Sequence, residues 1–517
     1  MQPSHRKPRN ASSLANATTT VNRGEAGLGE AGLLLALACA GSFVVILDAT
    51  IVSVALPAIR AELGFSDTTL PWVVNAYTLA FAGCLLLGGR LSDVYGQRRM
   101  FVLGMGLFTL ARTVGGLVSS AELLLAARAV QGIGGALLMP VTLSLLTTTF
   151  TEPAQRARML GTWSAVGAVG AAAGPVIGGL LTEWAGWRWV FFVSVPIGVL
   201  AVVAARATLP PRPDDAVRPR LDVLGAVLVT AGLVGIVYAV MHSADAGASV
   251  WPPLLAGAAV LGVFLVHQAR WSREPLVPLG IFRLRSVSSG NVVMLLLGLG
   301  FFASPILLSL YLQDVHGCSP LHAGLGYLPI GAAQFAGAQL AGPLSVRLGV
   351  RRAAVLSCLS GAAGLAGVAL LIGVHASYVT SVMLPGLVFG FGTTAAFTPI
   401  TVGATNGVPE HQSGLAAGLL NTVRQTSGAI GLAVLSVLSA AVAASWRAAH
   451  SGDDLNALAH GYTAAFAASA ACLAVAGIIA AVAMPGDQQG AGSSVSARKP
   501  GQRSGSPGER QPSSRSR

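Results

Sequence analysis

Apolar stretches of helical length recur along the chain from Ala31 to Met484. Each holds roughly 20 residues, the number that a helix needs to cross the hydrocarbon core of a bilayer. Because lipid offers the backbone no hydrogen-bond partners, such segments cross a membrane as helices. About fourteen spans are predicted, which makes the chain an all-α polytopic membrane protein. The predicted spans lie at 31–55, 70–89, 100–118, 122–149, 158–181, 188–206, 222–241, 253–269, 287–311, 322–344, 353–373, 378–402, 413–440 and 462–484.

Composition supports this fold class. Charged residues make up 10% of the chain and hydrophobic residues 53%, whereas a soluble globular protein carries about 25% charged residues. The first apolar run continues from Ala31 through Asp48 to Ala55. That run is too long for the apolar region of a secretory signal peptide, so the first span is expected to stay in the protein.

The placement of the basic residues indicates the orientation of the chain. Cytoplasmic loops of membrane proteins are enriched in Lys and Arg. With the N-terminus taken as cytoplasmic, Arg60, Arg188 and Arg447 fall outside, three more arginines fall within spans, and all other basic residues lie inside. Both termini are therefore expected on the cytoplasmic side of the plasma (inner) membrane. This bias accounts for the net charge of +12 without nucleic-acid binding.

A short internal repeat predicts two related halves. Residues 89–99 align without gaps with residues 342–352, and six of the eleven positions are identical. The second copy lies between spans ten and eleven, which then correspond to spans two and three of a second six-helix bundle. The predicted units are a cytoplasmic tail at 1–30, a six-helix bundle at 31–206, a linker at 207–221, two inserted helices at 222–269, a second linker at 270–286, a six-helix bundle at 287–484 and a disordered basic tail at 485–517.

Asp48 is the acidic residue that lies well inside a predicted span. A carboxylate in hydrocarbon costs several kcal/mol, so it should face the protein interior and have a partner or a proton. Arg128 in span four lies about 9 Å from the outer surface and Asp48 about 10 Å, which predicts a contact or a shared polar site. Gln131 follows one turn after Arg128 and is assigned to the cavity wall. Arg112 reaches a similar depth in span three, and we favour extension of its side chain outward to the interface.

Further polar residues fall within spans two and thirteen. Asn421, Arg424 and Gln425 share one face of span thirteen, with Arg424 near the midplane. Both a cavity wall and a network of hydrogen bonds between helices explain this face, since amides commonly join membrane helices. Asn75 and Tyr77 in span two are assigned to the outer mouth of a substrate cavity.

The chain lacks the residues that several other classes of protein require. The two lysines, Lys7 and Lys499, are outside any glycine-rich phosphate loop, which excludes a Walker-type ATPase in this chain. The nine histidines and five cysteines are scattered, with no metal-binding pattern and no catalytic motif. We expect no metal, no cofactor and no enzymatic activity. No loop is long enough for a folded sensor domain. Because the chain has no ATPase site, the energy for any transport must come from a gradient.

The loop between spans two and three resembles the loop signature of the major facilitator superfamily. The matching residues are Gly89, Asp93, Gly96, Arg98 and Arg99. The resemblance implies a conformational latch, in which Asp93 meets Arg98 or the end of a neighbouring helix and separates when the halves rock. The alternative is an arginine-rich loop that only sets topology.

Span five carries a second matching motif. Gly170, Gly174, Pro175, Gly178 and Gly179 resemble the antiporter motif of the same superfamily. The first, second and fourth of these residues are spaced by four and form one stripe along a helix, which allows another helix to pack closely. The proline adds a kink. The link between this motif and export, rather than uptake, is implied by the resemblance alone.

Two more stretches narrow the resemblance to one family within the superfamily. Residues 47–57, around Asp48, are similar to the mark of the fourteen-span drug:proton antiporters, and residues 128–135 resemble the superfamily's proton-coupling segment. The chain departs from the usual residues at Ser53, Ser194 and Arg112. The resemblance implies a major facilitator fold, with two six-helix bundles and two extra central helices.

The same resemblance implies a function. The chain is expected to export a small organic, amphiphilic compound or antibiotic across the bacterial inner membrane in exchange for protons, and so to confer resistance. Asp48, which can exchange its charge for a proton, is the expected coupling group, together with Arg128. The expected partners are the substrate, protons and the lipid bilayer, and the protein is expected to be a monomer. The alternative is a dedicated exporter or facilitator of an endogenous metabolite.

Overall fold

The computed structural model describes residues 12–66, 68–150, 152–209, 221–243, 250–272, 274–450 and 453–485. Most of the linker expected at 207–221 lies outside the described residues. The same holds for nearly all of the tail expected at 485–517 and for the first residues of the N-terminal tail.

Fourteen long helices make up most of the described residues, and no strand occurs among them. They follow the order of the predicted spans, so the predicted fold class is confirmed. The helices are α1 (Ser12–Leu63), α2 (Trp72–Tyr95), α3 (Gln97–Leu117), α4 (Ala121–Thr149), α5 (Pro153–Trp184), α6 (Arg188–Thr208), α7 (Val223–His242), α8 (Trp251–Trp271), α9 (Arg285–Asp314), α10 (Pro320–Leu348), α11 (Val350–Leu371), α12 (Val379–Thr405), α13 (Glu410–Ala449) and α14 (Asp454–Ala483).

Thirteen of these helices in the described part of the chain are long and apolar enough to cross a membrane. The other is α10, which has 29 residues and packs between α5 and α12. Its apolar character is diluted by Pro329 and Pro343 within the helix and by Gln334 and Gln339. Because α10 is as long as its neighbours and lies among them, it occupies the place of the tenth span.

Close helix packing organises both halves. In the first half α4 packs against α2 and α3, and α5 packs against α1. In the second half α12 packs against α10 and α11, and α14 against α9 and α11. Small residues allow these approaches: a Cβ atom on Gly88 of α2 would lie 2.2 Å from the carbonyl oxygen of Ala136 in α4. Between the halves, α7 and α8 pack on each other, and α7 also contacts α2 and α13.

A polar cluster joins α7 and α8 at the end that the predicted orientation places in the cytoplasm. Asp222 accepts hydrogen bonds from Gly225 N at 2.9 Å and Gln268 Nε2 at 2.6 Å, and it lies 2.7 Å from His267 Nε2. Burial alone would raise the pKa of Asp222, but the hydrogen bonds from His267 and Gln268 outweigh it and hold that pKa below its ordinary value. The cluster therefore ties the start of α7 to the end of α8.

Two polar contacts join the two halves at the opposite, predicted outer end. Arg60 at the end of α1 pairs with Asp314 at the end of α9 at 2.7 Å. Glu183 of α5 accepts hydrogen bonds from Ser319 Oγ at 2.6 Å and from Leu321 N at 3.1 Å, at the start of α10. Two pairs of helix ends, α1 with α9 and α5 with α10, are thus joined at this side of the molecule.

Candidate functional site: a carboxylate between two buried arginines

Asp48 lies in the middle of Ala31–Leu63, the part of α1 that is apolar enough to cross a membrane, and is fully buried. Its Oδ2 accepts a hydrogen bond from Arg128 Nη1 at 2.7 Å, and its Oδ1 contacts Arg112 Nη1. Both arginine side chains are 1% exposed. The carboxylate therefore has a guanidinium group on each oxygen, and α1, α3 and α4 meet at this point.

Arg128 makes the contact that its depth predicts and several more. Its Nε donates to the carbonyl of Val73 at 2.8 Å, and its Nη1 donates to Gln131 Oε1 at 2.8 Å. The guanidinium carbon lies 4.6 Å from the centre of the Tyr77 ring. Tyr77, assigned from sequence to the outer mouth of a cavity, and Gln131, assigned to its wall, are buried neighbours of the Asp48 cluster in this structure.

The predicted outward extension of Arg112 is wrong. Its side chain turns into the bundle, where Nε donates to the carbonyl of Phe191 at 3.0 Å and Nη2 contacts the carbonyl of Val190. Pro196 lacks a backbone N–H, and α6 is divided near it into Arg188–Phe192 and Val195–Thr208. The carbonyls at the end of the first piece, together with one carboxylate oxygen, give Arg112 enough acceptors to stay buried.

The charge of this cluster is unbalanced. Two guanidinium groups share one carboxylate, which leaves one net positive charge in the interior. The rings of Phe108 and Phe191, 5.9 Å and 5.7 Å from the Arg112 guanidinium carbon, attract part of it. Because both oxygens of Asp48 are occupied, a cationic compound would have to displace an arginine to bind there. Binding of a cation at this carboxylate is therefore disfavoured.

The opposite face of α1 packs against the glycine stripe of α5. Thr50 follows Asp48 by two residues, which turns it to the other side of the helix. A Cβ atom on Gly174 would lie 2.0 Å from Thr50 Oγ1, and one on Gly178 would lie 2.4 Å from the carbonyl oxygen of Ile51. The helix that carries the buried carboxylate is thus also the helix against which the antiporter motif packs.

The rest of the antiporter motif reaches both halves of the molecule. A Cβ atom on Gly170 would lie 3.2 Å from Phe43 of α1, which continues the contact with that helix. On the other side, a Cβ atom on Gly179 would lie 2.5 Å from the carbonyl oxygen of Pro320, and Gly324 approaches the carbonyl oxygen of Pro175 in the same way at 2.2 Å. The motif therefore holds α5 between α1 and α10.

The loop motif joins α2 to α3. Gly96 has a φ of 86°, a left-handed conformation that favours glycine. Arg98 donates a hydrogen bond of 2.6 Å to the carbonyl of Arg206, near the end of α6. Asp93 and Arg99 are exposed. The structure thus places Arg98 against a neighbouring helix end, and the role of the loop as a latch stays a prediction.

Asn75 does not line an open cavity in this structure. Its side chain is fully buried, and its Nδ2 lies 3.8 Å from Met241 Sδ of α7. Asn75 therefore belongs to the contact between α2 and the inserted helices. The assignment of this residue to the outer mouth of a substrate cavity stays a prediction.

The polar face of α13 differs from these buried residues. Asn421, Arg424 and Gln425 are each partly exposed, although they lie in the middle of a span. The Arg424 guanidinium carbon lies 5.7 Å from the centre of the Phe397 ring in α12, and its Nε is buried without a hydrogen-bond partner. Of the residues predicted to form a cavity, these three are the ones that remain accessible.

Comparison with known proteins shows the family of the chain. The Major Facilitator Superfamily model matches residues 38–432. The chain belongs to the major facilitator superfamily. This transporter is 41% identical to the cephamycin export protein of Amycolatopsis lactamdurans over 407 residues, which cover 78% of this chain and 83% of that protein. It is 37% identical to the puromycin resistance protein of Streptomyces alboniger over 464 residues, which cover 87% and 90% of the two chains.

A solved structure supports the same fold. The bacterial homologue of the human lysosomal transporter Spinster, in an inward-facing and unoccupied conformation, matches with a TM-score of 0.62 at 19% identity. The match covers 88% of this transporter and 96% of that chain. The chain is therefore a multi-pass membrane transporter of the major facilitator type.

The transporter contains a large apolar cavity beside the inserted helices. It measures about 530 Å³ and lies between α2, α7, α8, α9 and α13. Its lining is mostly apolar, with Leu86, Leu233 and Phe264 among the contributing side chains, and Asn291 and Thr422 add polar groups. Pockets of about 300–1,000 Å³ accommodate drug-sized molecules, so the cavity is large enough for one.

Proposed function

We propose that the chain exports small amphiphilic organic compounds from the bacterial cytoplasm in exchange for protons, and thereby confers resistance to them. The observation that carries the proposal is Asp48, a carboxylate buried within a span and held by two arginines. The printed names of two relatives, a cephamycin export protein and a puromycin resistance protein, favour export of such compounds. The apolar cavity of about 530 Å³ supports an amphiphilic cargo of drug size.

The position of Asp48 suggests how proton uptake moves the helices. Protonation removes the charge that Arg112 and Arg128 share, and two unpaired guanidinium groups in the interior are unfavourable. The contact of α1 with α3 and α4 is then weakened. Because α1 also packs on the glycine stripe of α5 and pairs with α9 through Arg60 and Asp314, a shift of α1 changes the contact between the two halves.

The proposal includes the remaining sequence assignments. Both termini lie in the cytoplasm, and the units divide at the two predicted linkers. The loop motif acts as a latch on the cytoplasmic side, where Arg98 binds the end of α6 in the conformation described above. The transporter works as a monomer, because each half contributes its own helices to the contact between them.

The test is transport into everted membrane vesicles from an efflux-deficient host, with and without an imposed pH gradient. Compounds are first chosen by a resistance screen in which a protonophore abolishes the resistance. We expect Asp48→Asn to abolish transport that the gradient drives, while Asp454→Asn, the same change at an exposed site, transports like the wild type.

Two outcomes would contradict the proposal. Full gradient-driven transport by Asp48→Asn would remove this residue from proton coupling. Wild-type transport that ignores the pH gradient would instead indicate a facilitator of a metabolite. Immunoblots of the vesicles establish that the variants reach the membrane in equal amounts, so loss of transport is not mistaken for loss of protein.

A further inference from the structure

The ionisable groups in the middle of the membrane do not balance. Among the described residues, the interior of the spans holds one carboxylate, Asp48, and three arginines: Arg112, Arg128 and Arg424. The first two arginines share Asp48. Arg424 lies in the other half, and no carboxylate within the described residues pairs with it. A charge at this depth is unfavourable unless a partner or water compensates it.

Arg424 donates no hydrogen bond to the described part of the chain. A guanidinium group carries five N–H donors and no acceptor. Its Nε is fully enclosed without a partner, and its nearest compensating group is the ring of Phe397. An aromatic face attracts a cation, but it does not replace the oxygen acceptors that an arginine normally binds. Arg424 therefore has N–H donors for which the described part of the protein provides no acceptor.

The surroundings of Arg424 resemble a binding site for one end of an amphiphile. The residue lies ten positions after Gly414, about 15 Å along the helix and so near the midplane. The Phe397 ring is 5.2 Å from Phe301 and 6.5 Å from Phe302, both on α9. An aromatic wall thus lies next to the free donors, and Arg424 remains partly accessible at this depth.

We propose that Arg424 binds the anionic group of the exported compound, so that the cargo is an amphiphile with a carboxylate, sulfonate or phosphate. This inference rests on the proposed export function and names the substrate class. The anion accepts hydrogen bonds from the guanidinium group, and the apolar part packs on the phenylalanine rings. A preference for cationic cargo is disfavoured, because the one interior carboxylate within the described residues already has an arginine on each oxygen.

The test compares each of two acids with its neutral methyl ester: benzylpenicillin and dansylundecanoic acid. Binding to the purified full chain is measured at pH 7.5 through tryptophan fluorescence, and uptake is measured in everted vesicles with a pH gradient. We expect the wild type to bind at least one acid about tenfold or more tightly than its ester, as a charge-assisted contact implies.

The variants distinguish a binding role of Arg424 from a structural role. Arg424→Gln should lose the preference for the acid, keep its affinity for the ester and melt no lower than the wild type. Arg424→Lys should keep part of the preference, because it keeps the charge but not the planar donors. Arg447→Gln removes an arginine from the exposed outer part of the same helix and should bind like the wild type.

Each contrary result has a distinct meaning. An Arg424→Gln variant that still prefers the acid, or a wild type that binds neither acid, overturns the inference. A lower melting temperature for Arg424→Gln with unchanged preference makes Arg424 a structural residue. Acid binding without gradient-driven uptake refutes proton-driven export but leaves the anion site standing. Gradient-driven uptake that is equal for acids and esters supports export and refutes the anion site.

Discussion

The two halves of the transporter surround an arginine within the membrane in opposite ways. In the first half, the guanidinium group of Arg128 contacts a carboxylate, a backbone carbonyl, an amide oxygen and an aromatic ring. In the second half, Arg424 faces one aromatic ring and donates no hydrogen bond within the described chain. A fully paired arginine stabilises a helix contact, whereas an arginine with unused donors is available to a ligand.

The first helix of each half explains the contrast. α1 places Asp48 opposite Arg128, whereas α9 carries no carboxylate before Asp314, its last residue. The loop repeat shows the same asymmetry, since Asp93 corresponds to Val346 in the second copy. The halves thus share a helical plan but differ in their proposed roles. The first holds the group proposed to exchange a proton, and the second holds the group proposed to bind the cargo.

The largest effect should come from removal of the shared carboxylate. Asp48→Ala leaves two buried guanidinium groups without their main partner, and we expect the free energy of unfolding to fall by about 3–5 kcal/mol. Denaturant-induced unfolding of the purified protein in detergent measures the change, with Arg424→Ala as the matched removal of an unpaired charge. A loss of less than about 1 kcal/mol would mean that the cluster contributes little to the contact of α1 with α3 and α4.

A smaller effect is expected when one arginine of the cluster is replaced. Arg112→Gln or Arg128→Gln alone should lower the free energy of unfolding by about 2–3 kcal/mol, because the remaining arginine still pairs with Asp48. The double variant should lose more than the sum of the two, since it leaves the buried carboxylate without either arginine. Strict additivity would show that Arg112 is held by the α6 carbonyls independently of Asp48.

The smallest effect concerns the opposite face of α1. Gly174→Ala places a methyl group where Thr50 Oγ1 lies, so α1 and α5 must separate, and we expect a loss of about 1–2 kcal/mol and slower transport. Thr50→Ala should restore part of both. Gly161→Ala is the control, because a Cβ atom there meets no atom within 4 Å. An equal effect of both alanine variants would refute the close contact between the two helices.

Much of the fold and part of the site could be predicted from sequence. The lengths of the apolar segments predict the helices, because in lipid the backbone groups of each segment must form hydrogen bonds with one another. The depth of a residue within a span can also be predicted, since it depends on the number of residues from the end of the span and a rise of about 1.5 Å per residue. For this reason the contact of Asp48 with Arg128 is predictable before the structure is known.

The direction in which a side chain points is much harder to predict. Arg112 was at the correct depth, but only the packing of α3 against α6 shows that it faces inward, towards carbonyls that the break near Pro196 leaves available. Asn75 and Tyr77 differ by two residues and therefore face different neighbours, α7 and α4. The pairing of Arg60 with Asp314 joins residues 254 positions apart and depends on the arrangement of the two halves.

If the one interior carboxylate among the described residues carries one proton per cycle, it also sets the electrical work of that cycle. If one proton enters while one monoanion leaves, two elementary charges move inward, and a membrane potential of 100 mV supplies about 4.6 kcal/mol. That energy sustains a cargo concentration outside the cell more than about a thousandfold above that inside. A neutral cargo exchanged for one proton receives about half the energy, which sustains a ratio of roughly fortyfold. The membrane potential would therefore favour an anionic cargo even with no difference in pH.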